Sequence, residues 1–127
     1  MIRISFAFGS LALLAASGCA DSREVFSDPS MPIEMARGAE FDIALKSNQS
    51  TGYRWVLVDS AALGPLRPVG TTYAVPRRNR NRDGAGGTER WTFATPQPGS
   101  GVISLVYVGP SEGTAAKDTT RFRVRVR

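Results

Sequence analysis

The stretch Glu40-Phe41-Asp42-Ile43-Ala44-Leu45-Lys46 decides the fold class. Phe41, Ile43 and Leu45 recur at every second position, while Asp42 and Lys46 point away from that face. Successive side chains of a strand point to opposite sides of its sheet, so a period of two marks a half-buried strand. The pattern repeats along the chain in both aromatic and aliphatic form. Tyr53-Arg54-Trp55-Val56-Leu57-Val58 is rich in the aromatic and β-branched residues that fit a pleated surface. Residues 66–75 support one or two short strands around Pro68 and Gly70. In Glu89-Arg90-Trp91-Thr92-Phe93, Trp91 and Phe93 alternate with polar neighbours. Residues 102–108 are almost wholly apolar, which predicts a central strand covered on both faces. The C-terminal stretch alternates Phe122, Val124 and Val126 with Arg121, Arg123, Arg125 and Arg127. That arginine stripe reads as the solvent face of an edge strand, where charge discourages edge-to-edge pairing.

No helix-period segment follows the N-terminal leader. Short strands at regular spacing, broken by Gly, Pro, Asn and Ser, predict an all-β sandwich. There is no internal repeat and no sign of a second domain. The expected domain spans residues 31–127.

The first 18 residues read as a signal peptide: Met1-Ile2-Arg3, an apolar stretch from Phe6 to Ala16, then Ser17 and Gly18. The apolar part is too short for a membrane span. Small residues directly before Cys19 resemble a bacterial lipoprotein signal, which implies that Cys19 is lipidated and becomes the N-terminus. Ala16 departs from that pattern, where Leu is usual, and ordinary cleavage without a lipid is the alternative. Ala20 stands where Asp would resemble an inner-membrane retention signal. The expected location is therefore the cell envelope, as an outer-membrane lipoprotein facing the periplasm, or secretion. Residues 19–30 are expected to form the lipidated Cys and a polar tether.

Composition excludes several function classes. The 127 residues contain no His, so the commonest general base and metal ligand is absent. Cys19 is the only Cys, so no intramolecular disulfide can form. An enzyme, a metal site and any cofactor are not expected. The formal net charge is +5, with Arg3 in the leader. Basic chains can meet nucleic acid, anionic lipid or acidic proteins, but an export signal argues against nucleic acid. Contact with the membrane is expected through the lipid anchor only.

Three connections differ from plain spacers. Asn48-Gln49-Ser50-Thr51-Gly52-Tyr53 joins two strongly patterned strands. Its Asn and Ser side chains can bond nearby backbone, and Gly52 permits positive φ, so this loop can be stiff. Gly84-Ala85-Gly86-Gly87-Thr88 allows close backbone approach. It lacks the helix N-terminus and Lys that a phosphate cradle needs. Before it runs Arg77-Arg78-Asn79-Arg80-Asn81-Arg82, an exposed basic segment that is either a solvated loop or a contact for an acidic partner. The third connection contains Gly109-Pro110-Ser111-Glu112, stiffened by Pro110.

In this order the motifs resemble the chagasin family of inhibitors of papain-like cysteine peptidases. The resemblance covers about residues 32–127. The family's first motif usually reads Asn-Pro-Thr-Thr-Gly followed by an aromatic, against Asn48 to Tyr53 here, with Trp55 following. The second is matched by Gly84, Gly86, Gly87, Thr88, Trp91 and Phe93. The third is usually Arg-Pro-aromatic, and only Pro110 matches it, with Glu112 as an acidic residue often found next. The resemblance implies an immunoglobulin-like antiparallel β-sandwich with functional loops clustered at one end. It implies a monomer that occludes the cleft of a papain-like cysteine peptidase reversibly. The first loop would enter beside the catalytic Cys, with Ser50 and Thr51 bonding cleft groups, and the other two loops would clamp the sides. Tyr53, Trp55, Trp91 and Phe93 are assigned to the core. The alternative is an envelope binding or assembly module that keeps the loops without inhibition.

Overall fold

The computed structural model describes residues 23–127 except 81, 83, 112 and 114. Cys19, the leader and Glu112 lie outside the described residues. Eight strands run β1 (Glu24–Phe26), β2 (Ile33–Met35), β3 (Glu40–Ser47), β4 (Arg54–Val58), β5 (Arg67–Ala74), β6 (Gly87–Ala94), β7 (Gly99–Val108) and β8 (Asp118–Val126). They form two four-stranded sheets, β1-β3-β6-β5 and β2-β8-β7-β4. Among the described residues the helical structure is three short 3₁₀ turns, Gln49–Thr51, Ser60–Leu63 and Arg77–Asn79. The chain is an all-β sandwich, as the alternation predicts.

Period two places the core. Phe41, Ile43 and Leu45 of β3 face inward beside Phe93 of β6, and Ile103, Leu105, Phe122, Val124 and Val126 come from the other sheet. Phe41, Ile43, Phe93, Ile103, Leu105 and Phe122 are fully buried. Each such side chain contributes about 1.5–3 kcal/mol relative to exposure. Phe41 and Phe93 stack with ring centroids 5.9 Å apart. The segment around Pro68 and Gly70 is one strand, β5, whose pairing with β6 slips between those two residues. Pro has no N–H to give a ladder, and β5 is an edge strand, where the loss is tolerated.

Four sequence expectations are corrected. β8 is not an edge strand: β2 pairs with it in parallel at Val124–Val126, on the side opposite β7. Three residues, Ile33-Glu34-Met35, are too few to show a period. Glu24–Phe26, expected within the tether, pairs in parallel with β3. β7 is central in its sheet, but only one face is fully covered, since Val102, Val106 and Val108 are half-buried. Asp42 does point outward, yet only 1% of it is exposed. Arg23 Nε lies 3.1 Å from its carboxylate, and Thr92 Oγ1 donates to it at 2.7 Å. Arg90 stands 3.8 Å away, so the carboxylate is buried among cations and a donor.

Candidate functional site

Strand pairing brings three loops to one end of the sandwich. Ser47 at the end of β3 sits opposite Gly87 at the start of β6, and Ala74 at the end of β5 sits opposite Thr88. In the second sheet Arg54 sits opposite Val108, and Tyr107 opposite Asp118. The connection 48–53 passes from one sheet to the other, so it joins these two ends. The loops 48–53, 75–86 and 109–117 therefore leave from the same pole.

The first loop is held rigidly by its own residues. A 3₁₀ turn over Gln49–Thr51 ends at Gly52, whose φ is +80°. Glycine adopts this conformation without the steric cost a Cβ brings. Thr51 N–H and Thr51 Oγ1 both donate to the Asn48 carbonyl, at 3.2 and 2.7 Å. Ser50 Oγ donates to Asn48 Oδ1 at 2.5 Å. Both hydroxyl protons are thus used inside the loop. A partner meeting Ser50 or Thr51 would find acceptor oxygens there, which differs from free donors.

Cross-braces join the loops into one platform. Asn48 Nδ2 donates to the Gly84 carbonyl of the second loop at 2.8 Å. Asn48 N–H donates to the Tyr107 hydroxyl at 2.8 Å, and Gln49 N–H to the Tyr73 hydroxyl at 3.4 Å. On the other side, a Cβ built on Gly52 would lie 3.0 Å from Pro110 Cβ, so the first and third loops touch there. At Gly87 a Cβ would lie 2.4 Å from the Ala74 carbonyl. The close approach that this glycine permits is therefore to the neighbouring strand β5.

The third loop explains its own departure from the expected motif. A Cβ on Gly109 would come within 3.1 Å of Tyr53 Cζ. The Tyr53 ring lies against Tyr107 with centroids 5.3 Å apart, and Lys117 Nζ sits 5.0 Å above it. The Tyr53 ring, with Lys117 over it, thus packs against Gly109, and both residues come from outside the third motif. Tyr53 is half-buried at this edge and Trp91 is half-buried as well, while Trp55 and Phe93 are in the core as expected. Gly109→Ala is expected to displace Tyr53 and cost about 1 kcal/mol of stability, as overpacking does. A thermal melt identical to the parent's would show that Tyr53 is not held against Gly109.

Beneath the platform lies a buried carboxylate that strand alternation places inward. Glu89 is 1% exposed. Its Oε2 accepts from Ser47 Oγ at 2.5 Å and from Trp55 N–H at 3.1 Å, and its Oε1 accepts from Trp91 Nε1 at 3.3 Å. Ser47 and Trp55 flank the first loop on either side. The Trp55 indole also donates to the Lys46 carbonyl at 3.0 Å, tying one sheet to the other. Sequence reasoning missed Glu89, Tyr73 and Tyr107 as supports. For Glu89 a signal existed, because it shares parity with Trp91 and Phe93.

The structure thus gathers Asn48, Gln49, Ser50, Thr51, Gly52, Tyr53, Gly84, Ala85, Gly86, Gly87, Thr88, Gly109, Pro110 and Ser111 at one pole. Gln49, Ser50, Thr51 and Gly52 are exposed at its tip. Among the described residues no group of His, Cys, Asp and Glu could hold a metal ion.

The chain matches the family described as Chagasin family peptidase inhibitor I42 over residues 34–126. A comparison with curated proteins found no match. Among solved structures, the solution structure of amebosin is similar with a TM-score of 0.66 and 27% identity, covering 83% of this chain and 98% of amebosin. The crystal structure of the cysteine protease inhibitor EhICP2 from Entamoeba histolytica gives a TM-score of 0.64 at 16% identity, covering 82% of this chain and 94% of that one. PbICP-C, solved in complex with falcipain-2, gives 0.53 at 18% identity, covering 83% and 89%. At such identities the last two bear on the fold alone.

Proposed function

The chain belongs to the chagasin family of peptidase inhibitors, and from that premise we propose that it inhibits papain-like cysteine peptidases by reversible occlusion of the active-site cleft. Family membership makes it an inhibitor and not an enzyme. The observation that carries the occlusion reading is the braced platform of three loops at one pole. A scaffold already rigid before contact loses little conformational entropy on binding. The exposed tip at Gln49, Ser50, Thr51 and Gly52 would enter the cleft. The loops carrying Gly84 and Pro110 would lie along its sides. Three separated segments can bury a standard protease–inhibitor area of about 1,600 Å². Binding in this mode needs no bond to the catalytic thiol and no scissile peptide. A peptidase whose catalytic Cys has been converted to Ser is therefore expected to bind the protein about as tightly as the native enzyme. Binding that requires the thiolate would refute occlusion.

The protein acts as a monomer in this reading, held to the envelope by lipid on Cys19. The N-terminal strand supports an orientation. β1 runs parallel to β3, and Glu24 pairs beside Phe41, at the end of the sandwich opposite the three loops. Ala20, Asp21 and Ser22 alone separate Cys19 from Arg23. At about 3.5 Å per extended residue this tether is short. The domain would sit close to an outer membrane with its loops directed away from the lipid. Cys19→Ala is expected to move the protein from the membrane to the soluble fraction. Identical fractionation of variant and parent would show that no anchor exists at Cys19.

A further inference from the structure

The loop pole carries a groove with a charge character of its own. Between the first two loops the surface opens into a cavity of about 440 Å³, whose walls include Lys46 and Arg78 and whose lining contains Ser47, Gly86, Gly87 and Tyr107. Among the described residues no carboxylate lines it. Lys46 and Arg78 are exposed, and among the described residues neither makes an ion pair. Gly86 contributes no side chain to fill the cavity. Lys46 is placed by strand register, opposite Thr88, whereas Arg78 comes from the 3₁₀ turn within the second loop.

The surrounding pole repeats the pattern. Arg54, Arg77, Arg80, Arg82 and Lys117 are exposed there. Among the described residues, Asp118 is the one exposed acid at that end, and its carboxylate accepts its neighbour's amide at Thr119. The sequence adds Asp83 and Glu112 to the same loops, which leaves the pole strongly basic. The opposite end is mixed, with Arg23 paired to Glu40 and Asp42, and Glu34 beside Arg125 in the pairing register. Unpaired like charges oppose one another unless something of opposite sign approaches, so this segregation favours an acidic partner.

We propose that the groove walled by Lys46 and Arg78 receives a carboxylate-bearing segment from the rim of the target's cleft, so that the protein selects papain-like peptidases with Asp or Glu at that rim. This inference rests on the reading of the loops as the peptidase-binding pole. The wider set of cations steers the encounter and raises the association rate, an effect that salt screens. The groove cations act after contact, where a charge pair shielded from water governs dissociation.

The experiment uses the full chain against two forms of one papain-like peptidase. One form carries Asp and Glu on its cleft rim, and the other has them replaced by Asn and Gln. The test variant is Lys46→Ser with Arg78→Ser. The control is Arg121→Ser with Arg123→Ser, which removes the same charge from the outer face of β8 away from the loops. Circular dichroism and melts establish that both variants fold. Against the acidic rim the groove variant is expected to bind about tenfold more weakly, mainly by faster dissociation. Against the amide rim it is expected to match the parent, and the control should match the parent's dissociation in both cases. Equal losses for groove and control variants would overturn the groove assignment. So would a parent that inhibits both forms equally. A folded parent that inhibits neither form would overturn the proposed function itself, and with it this inference.

Discussion

Glu89→Ala is expected to remove about 4 kcal/mol of stability, by stripping one acceptor from three donors at once. Ser47 Oγ, Trp55 N–H and Trp91 Nε1 all donate to the Glu89 carboxylate. Leaving a buried donor without a partner costs about 1–3 kcal/mol. Water entering the space vacated by the side chain lowers the sum below three such losses. Domains of this size hold about 5–15 kcal/mol in total, so the variant would be marginally folded. Urea unfolding checks the claim: with a slope of about 1–3 kcal/mol per molar, the midpoint should fall by roughly 2 M. Glu89→Gln preserves shape and one acceptor oxygen, and is expected to lose about half as much. A loss below about 1 kcal/mol for the alanine variant would mean that the three donors find other partners. Because Ser47 and Trp55 flank the first loop, both variants should also weaken inhibition more than their unfolded fraction explains.

Gly52→Val is expected to lower affinity for a papain-like peptidase by about thirtyfold or more, equivalent to about 2 kcal/mol. Two causes act together. The backbone φ of +80° suits glycine and strains a β-branched residue. A Cβ at this position also lies 3.0 Å from Pro110 Cβ and Cγ, so the first loop must move away from the third. The stability loss should be smaller, about 1–3 kcal/mol from strain. Gly38→Ala supplies the comparison. Gly38 has φ +79° with nothing within 4 Å of a built Cβ, and it lies at the opposite end of the sandwich. It should lose stability from backbone strain alone and leave inhibition unchanged. Equal inhibition by the Gly52 variant and the parent would remove the first loop from the contact.

β3, β6 and β8 were legible because each contains several turns of a two-residue period, whereas β7 showed as an apolar run. Phe41, Ile43 and Leu45 announce their shared face, and Phe122, Val124 and Val126 do the same. β1 and β2 were not legible, since three residues give too short a run for alternation and their pairing depends on residues far along the chain. The position of β8 inside its sheet follows from β2, so the arginine stripe was read as an edge device. The loop motifs were visible as glycine, proline and small polar residues. What they do to one another was not. That Asn48 reaches Gly84, and that Tyr53 covers Gly109, depends on how two sheets set the loops side by side. The burial of Asp42 escaped notice because its cover includes Arg23, from a segment expected to be tether.

The central claim is that the loop pole closes a papain-like cleft without being consumed. It is tested most directly by titrating a papain-like peptidase, at a concentration above the dissociation constant, with the purified protein while following hydrolysis of a small peptide substrate. Activity should fall linearly and approach zero at one equivalent, return on dilution, and leave the inhibitor chain intact. Undiminished hydrolysis in the presence of a molar excess of folded protein, or its steady cleavage by the peptidase, would contradict the account.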